Sequence, residues 1–227
     1  MKLLLAPLTF LLLQVPAPAP AAFTYRFESV QHTVLRWPGG DSHREVKAAA
    51  GDPADAGDMV KTGWWGRAVI AVPERASRFE VSGSTQVRLA SGEPGVLIVL
   101  DQGRLKAVFD ALAGPPVERQ VAVPGALLAV RGTRYGVEVD KAGKTVLAVF
   151  KGVVEVMPRT PQAASVFVKA GEWSTFGPGL LPKVAPMPER GFDERGWDHG
   201  MGMDGLMGTG TMPAGGMRPG AMPGPMH

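Results

Sequence analysis

The chain has 227 residues, 45% of them hydrophobic and 20% charged, with a formal charge of +3 and no cysteine. That length suits one domain of ordinary size with extra segments at its ends, and so weak a positive charge does not mark a nucleic-acid binder. The lack of cysteine excludes disulfides, thiolate nucleophiles and cysteine metal sites, although an exported domain with a sufficient core needs no such crosslinks.

Residues 1–22 begin with Lys2, run through an apolar stretch from Leu3 to Leu13 and end in alternating Ala and Pro. This is the order of a secretory signal peptide, with Ala19-Pro20-Ala21 offering small side chains to the peptidase and cleavage expected near Ala21 or Ala22. As a membrane anchor, about 11 residues at a rise of about 1.5 Å would reach only about half of a ~30 Å hydrocarbon layer. The expectation is export to the periplasm or the medium, with no permanent membrane span after cleavage.

Residues 23–57 read as an N-terminal β segment and connection. Thr24 to Trp37 is mostly strand-like and ends at Pro38-Gly39-Gly40-Asp41, while Val46 to Ala56 carries no clear element. Met59 to Gly63 reads as a short strand, and Trp64-Trp65-Gly66 leads into a strand from Arg67 to Val72. Pro73 ends it because proline cannot donate to a ladder. Ser77 to Val81 and Gln86 to Leu89 are further strands. Val96 to Leu100 is apolar on both faces, as expected of a central strand covered by a second layer. Asp101-Gln102-Gly103 is expected to turn tightly into Arg104 to Phe109, with Gly103 taking the positive φ.

After a loop over Asp110 to Pro116, the stretch from Val117 to Val156 sets short apolar runs between glycines, with an Arg131-Gly132-Thr133 corner in its middle. Val137 and Val139 alternate with Glu138 and Asp140, so valines and carboxylates take opposite faces. Lys141 to Lys144 turns the chain, Thr145 to Phe150 returns, and Lys151-Gly152 turns it again into Val153 to Val156. Ser165 to Val168 and Trp173 to Phe176 close the domain. Turn signals about every 8 to 12 residues predict an all-β fold: a two-layer antiparallel β-sandwich, jelly-roll-like, or a short β-solenoid. The Gly103 and Gly152 turns echo each other, either as two hairpins or as two rungs of a coil.

Residues 177–227 are expected to form a disordered Pro/Gly/Met-rich tail. Pro182, Pro186 and Pro188 interrupt regular elements, and ten glycines and seven methionines stand between Gly196 and His227, a composition whose backbone entropy few bulky side chains offset. Thioethers are soft ligands suited to Cu(I), which makes His199, Met201, Met203 and Met207 the candidate metal set. A plain linker is nevertheless the main reading of the tail, and methionine is also an adaptable contact surface for partners.

Consecutive Trp64 and Trp65 point to opposite faces of an extended chain. One can therefore fill the core while the other lies near the surface; packing in the core is the main reading of the pair, and an exposed tryptophan beside Arg67 as a contact for protein or glycan is the second. Trp37 and Trp173 are expected to seal the domain. At the central corner, Gly132 allows a tight turn or a close strand approach, Thr133 can satisfy a backbone group with its hydroxyl, and Arg131 can reach turn carbonyls, Glu138 or Asp140. An internal clamp is the main reading and an anion contact the second. No catalytic residue and no cofactor is expected: the chain has no HExxH, no GxSxG elbow, no phosphate loop and no Cys-His pair, and His32 and His43 lack a metal-ligand spacing.

Gly57-Asp58-Met59-Val60-Lys61-Thr62-Gly63, the Asp101-Gln102-Gly103 turn, Ala129-Val130-Arg131-Gly132-Thr133-Arg134-Tyr135-Gly136-Val137, Phe150-Lys151-Gly152-Val153-Val154-Glu155-Val156 and Ala170-Gly171-Glu172 follow one another as in a FecR-type domain. The resemblance covers residues 58–176. It implies an all-β domain outside the cytoplasm; in the iron-siderophore regulators of that family, an anti-sigma segment and one transmembrane helix precede it. Here a secretory leader stands in their place. The expectation is an exported non-enzymatic binding or scaffold protein of the cell envelope, whose partner is an envelope or extracellular protein or a polysaccharide. The rivals are a signalling or stress-response accessory, Cu(I) binding through the tail, and polysaccharide binding or processing.

Overall fold

A computed structural model describes residues 24–90, 92–112, 117–188 and 193–198. The leader expected over residues 1–22 and the candidate metal set His199, Met201, Met203 and Met207 lie outside the described residues. Among the described residues no helix is long and apolar enough to cross a membrane.

Strands dominate. They are β1 (Tyr25–Gln31), β2 (Val34–Trp37), β3 (Val46–Lys47), β4 (Pro53–Ala54), β5 (Met59–Thr62) and β6 (Arg67–Val72). Next come β7 (Ser77–Val81), β8 (Gln86–Leu89), β9 (Val96–Phe109), β10 (Gln120–Val123), β11 (Ala126–Val130) and β12 (Arg134–Val139). The chain continues through β13 (Thr145–Lys151), β14 (Val153–Pro158), β15 (Val166–Lys169), β16 (Glu172–Gly177), β17 (Leu180–Pro186) and the short helix α1 (Glu194–Asp198).

The pairings divide into two layers that share one strand. The first runs β4-β1-β6-β7-β9-β12-β13-β16-β17, antiparallel throughout. The second runs β3-β2-β5-β8-β9-β10-β11-β14-β15, antiparallel except for the parallel pair β9 and β10. The expected two-layer β architecture is therefore present, and its alternating strands explain the core. Phe27, Ile70, Phe79, Leu105, Tyr135, Val137 and Val149 from the first layer meet Val60, Val87, Ile98, Leu100, Val121, Leu128 and Val154 from the second, all without solvent exposure.

The strand β9 corrects the hairpin expected at Asp101-Gln102-Gly103. Its first half pairs with β8 and β10, its second half with β7 and β12, so the chain bends between layers without folding back. Gly103 makes the bend with φ +99°, pressed against Thr85, whose Cβ would lie 2.7 Å from an added Cβ. Gly152 does the same between β13 and β14, with φ +82° and the Thr133 methyl 2.6 Å from where a side chain would begin. These two positions echo each other as layer-changing corners at opposite ends of β12. Hairpins at these two places are excluded, because β13 pairs with β12 and β16 while β14 pairs with β11 and β15.

The domain does not stop at Phe176. Strand β17 adds to the edge of the first layer against β16, and α1 lies over that layer's outer face, so residues 177–198 are not all tail. Proline excludes a central strand but is tolerated at an edge, where one side of the backbone needs no partner. That is how Pro182 and Pro186 fit within β17.

Candidate functional site

The sequence Thr62-Gly63-Trp64-Trp65-Gly66 joins β5 to β6 across the layers. The Thr62 hydroxyl donates to the Ser82 carbonyl at 2.5 Å and accepts from the Thr85 amide at 2.9 Å. The Gly63 amide donates to the Thr33 carbonyl at 2.9 Å, the Gly66 amide to Gly63 at 3.0 Å and the Ser84 amide to Gly63 at 2.9 Å. Three segments meet so closely that a Cβ on Gly66 would strike the Thr33 carbonyl oxygen, and one on Gly83 the carbonyl oxygen of Trp64. The backbone is thereby fixed from both sides.

Both indoles leave this turn into solvent, Trp64 with 78% and Trp65 with 74% of its surface exposed. The expectation that one of them fills the core is wrong, because the two residues occupy a turn and the alternation of an extended strand does not apply to them. Arg67 is exposed at the start of β6 and forms no ion pair among the described residues. Trp37 and Trp173 are half-buried.

Beside the tryptophan loop the outer face of the first layer is charged. Arg104 and Lys106 on β9, Glu80 on β7, and Arg134 and Glu138 on β12 share it, and α1 is tied down among them. Lys106 Nζ lies 2.7 Å from Asp198, 3.4 Å from Glu194 and 3.4 Å from Glu80. Arg134 pairs with Glu194 at 3.1 Å. Arg104 Nη2 donates to the Trp197 carbonyl at 2.7 Å, and its guanidinium lies over the Trp197 ring, 4.6 Å from the centroid. That ring is buried against Gly136, which has no room for a side chain, and meets Phe150 edge-on at 6.2 Å. Burial lowers the pKa of Arg104, Glu138 raises it and the nearby charge of Arg67 lowers it further. For Lys106 burial also disfavours the charge, but Asp198, Glu80 and Glu194 outweigh it and hold the pKa up.

The central corner is a packing device. Gly132 takes φ +62° with open space where a side chain would stand, so glycine here serves the turn, while its carbonyl oxygen closes against Gly152. Thr133 is buried, but its hydroxyl has no hydrogen-bond partner among the described residues, contrary to the expected backbone contact; its carbonyl accepts from the Phe109 amide at 2.9 Å. Arg131 is exposed and pairs with neither expected carboxylate. Glu138 lies 3.6 Å from Arg104, and Asp140 accepts from the amides of Ala142 and Lys144 at 2.8 and 2.9 Å. Among the described residues no group of three or more His, Asp or Glu could hold a metal ion.

Sequence reasoning missed Trp197, the residue that docks α1. Its one signal is a lone tryptophan behind Asp193-Glu194-Arg195 in a stretch otherwise rich in glycine, proline and methionine.

No curated protein matches the chain. Two crystal structures of a protein described as a candidate anti-sigma factor, from Parabacteroides distasonis, are similar at 14% identity with a TM-score of 0.46, over 56% of this chain and 59% of theirs. This chain thus spans less than two thirds of the length of those structures. The family model described as FecR protein matches residues 58–155, from the start of the β5 region into β14. The chain contains a FecR-type domain.

Proposed function

We propose that the chain is an exported, non-enzymatic binding protein of the cell envelope, and that the loop carrying Trp64 and Trp65 is its contact surface. The observation that carries this reading is the pair of indoles at 78% and 74% exposure on a backbone locked by Thr62, Gly66 and Gly83. Leaving a large apolar side chain in water forgoes about 1.5–3 kcal/mol, and a rigid aromatic anchor loses little entropy when a partner covers it. The neighbouring carboxylates Glu80, Glu138, Glu194 and Asp198 are engaged by Lys106, Arg104 and Arg134, which favours a binding role over acid–base catalysis.

The test is affinity capture from envelope extract with the intact chain and with a Trp64→Ala/Trp65→Ala variant. The variant is expected to keep its thermal midpoint and lose the captured material; equal capture by both chains would refute the loop as contact surface. A second reading, an accessory of envelope signalling, is favoured by the FecR-type domain. It predicts that deleting the chain alters envelope-stress transcription, whereas the first predicts loss of an assembled complex.

A further inference from the structure

The groove next to Trp64 points to a ligand class, an inference that rests on reading that loop as a binding surface. Small-molecule pockets run from about 300 to 1,000 Å³; here the space is 490 Å³, walled by Trp64, by Ser82 and Ser84 of the β7–β8 corner, and by Arg67 and Arg104. Asp198 and Trp197 of α1 close its far side, and a second recess of 200 Å³ continues past Arg67 and Ser82 toward Lys106.

Among the described residues no aliphatic side chain lines the first recess. A protein partner would find no socket there for a leucine or valine anchor, whereas a pyranose offers a C–H face to an indole and hydroxyls to serine and carboxylate groups. Ser84 is held at φ +54° on the rim, a left-handed backbone state disfavoured for a residue with a Cβ. The charge is also selective. Arg67 is a cation without an ion pair among the described residues, and it lines the recess together with Arg104, whose guanidinium its charge repels. A carboxylate between them would relieve that repulsion and accept paired N–H bonds.

We propose that this groove binds a uronic-acid unit of an acidic polysaccharide, with the sugar ring over Trp64 and its carboxylate on Arg67. The probe is tetragalacturonate, titrated into the full chain by calorimetry alongside a neutral glucan of equal length. Saturable binding of the uronate, about tenfold or more tighter than the glucan, is expected. Arg67→Gln and Trp64→Ala should each weaken it about tenfold, while Phe167→Ala, at an exposed position on β15 away from the groove, should leave it unchanged. No saturable binding, equal affinity for the glucan, or equal loss in the Phe167 variant would overturn the proposal. If the intact chain still captures envelope material through the two tryptophans but ignores the uronate, only this inference fails. Loss of both removes the reading beneath it.

Discussion

Two threonines of similar burial make opposite use of their hydroxyls. Thr62 sits where three loops converge and donates to Ser82 while accepting from Thr85, so Thr62→Val leaves a half-buried carbonyl and a buried amide short of a partner. A loss of about 1–3 kcal/mol is expected. Thr133 carries a buried hydroxyl with no partner among the described residues and contributes through its methyl group beneath Gly152, so Thr133→Val is expected to fall within about 0.5 kcal/mol of the parent or to stabilise it. Urea midpoints of the two variants check this, and a larger loss at Thr133 would mean that the corner depends on that hydroxyl. The sequence identified Arg131-Gly132-Thr133 as a corner, because glycine before a β-branched residue suits a turn entering a strand. It could not reveal that Arg131 is idle, since Arg104, far away in sequence, holds Glu138.

At the scale of elements, β6, β7 and β8 lie where the alternation of apolar and polar residues put them, while β9 and β17 do not. Asp101-Gln102-Gly103 has the composition of a hairpin turn, yet the same positive φ at glycine serves a bend between layers; only the partners β7, β8, β10 and β12 decide between them. Pro182 and Pro186 spoke against a strand because local reading does not show that β17 would lie at an edge. The consequence is testable by truncation. A chain ending at Phe176 loses β17 and α1, baring the edge of β16 and the cluster Val146, Ala148, Phe150 and Trp173 on the outer face. It should unfold at a clearly lower urea concentration and aggregate, since removing the Trp197 side chain alone forfeits about 3–5 kcal/mol in a typical core. A chain ending at Asp198 should keep the parent midpoint. Equal midpoints for the two truncations would show that β17 and α1 are not part of the cooperative unit.

For the whole molecule, the buried titratable groups set an alkaline limit. Burial raises the pKa of Tyr25, and of Tyr135 well above that of an ordinary phenol, and Lys106 is raised among its three carboxylates. All three keep their protons in the fold after the unfolded chain has released them. Their contribution is therefore complete below about pH 10 and is lost as pH rises through the folded values. Thermal midpoints should fall above about pH 10, and more gently in Tyr135→Phe, which has one such group fewer. A stability that rises with pH in that range would reverse the assignment.

The shared strand β9 and the glycine corners make both layers one frame, and that frame holds the Trp64–Trp65 turn rigid and outward. The most direct measurement is hydrogen–deuterium exchange on the intact chain, alone and with the envelope material it captures. New protection is predicted in peptides spanning residues 62–68, 82–85 and 194–198. Protection confined to the free edges of β15 and β17, or none anywhere, would contradict a binding surface built on the two tryptophans.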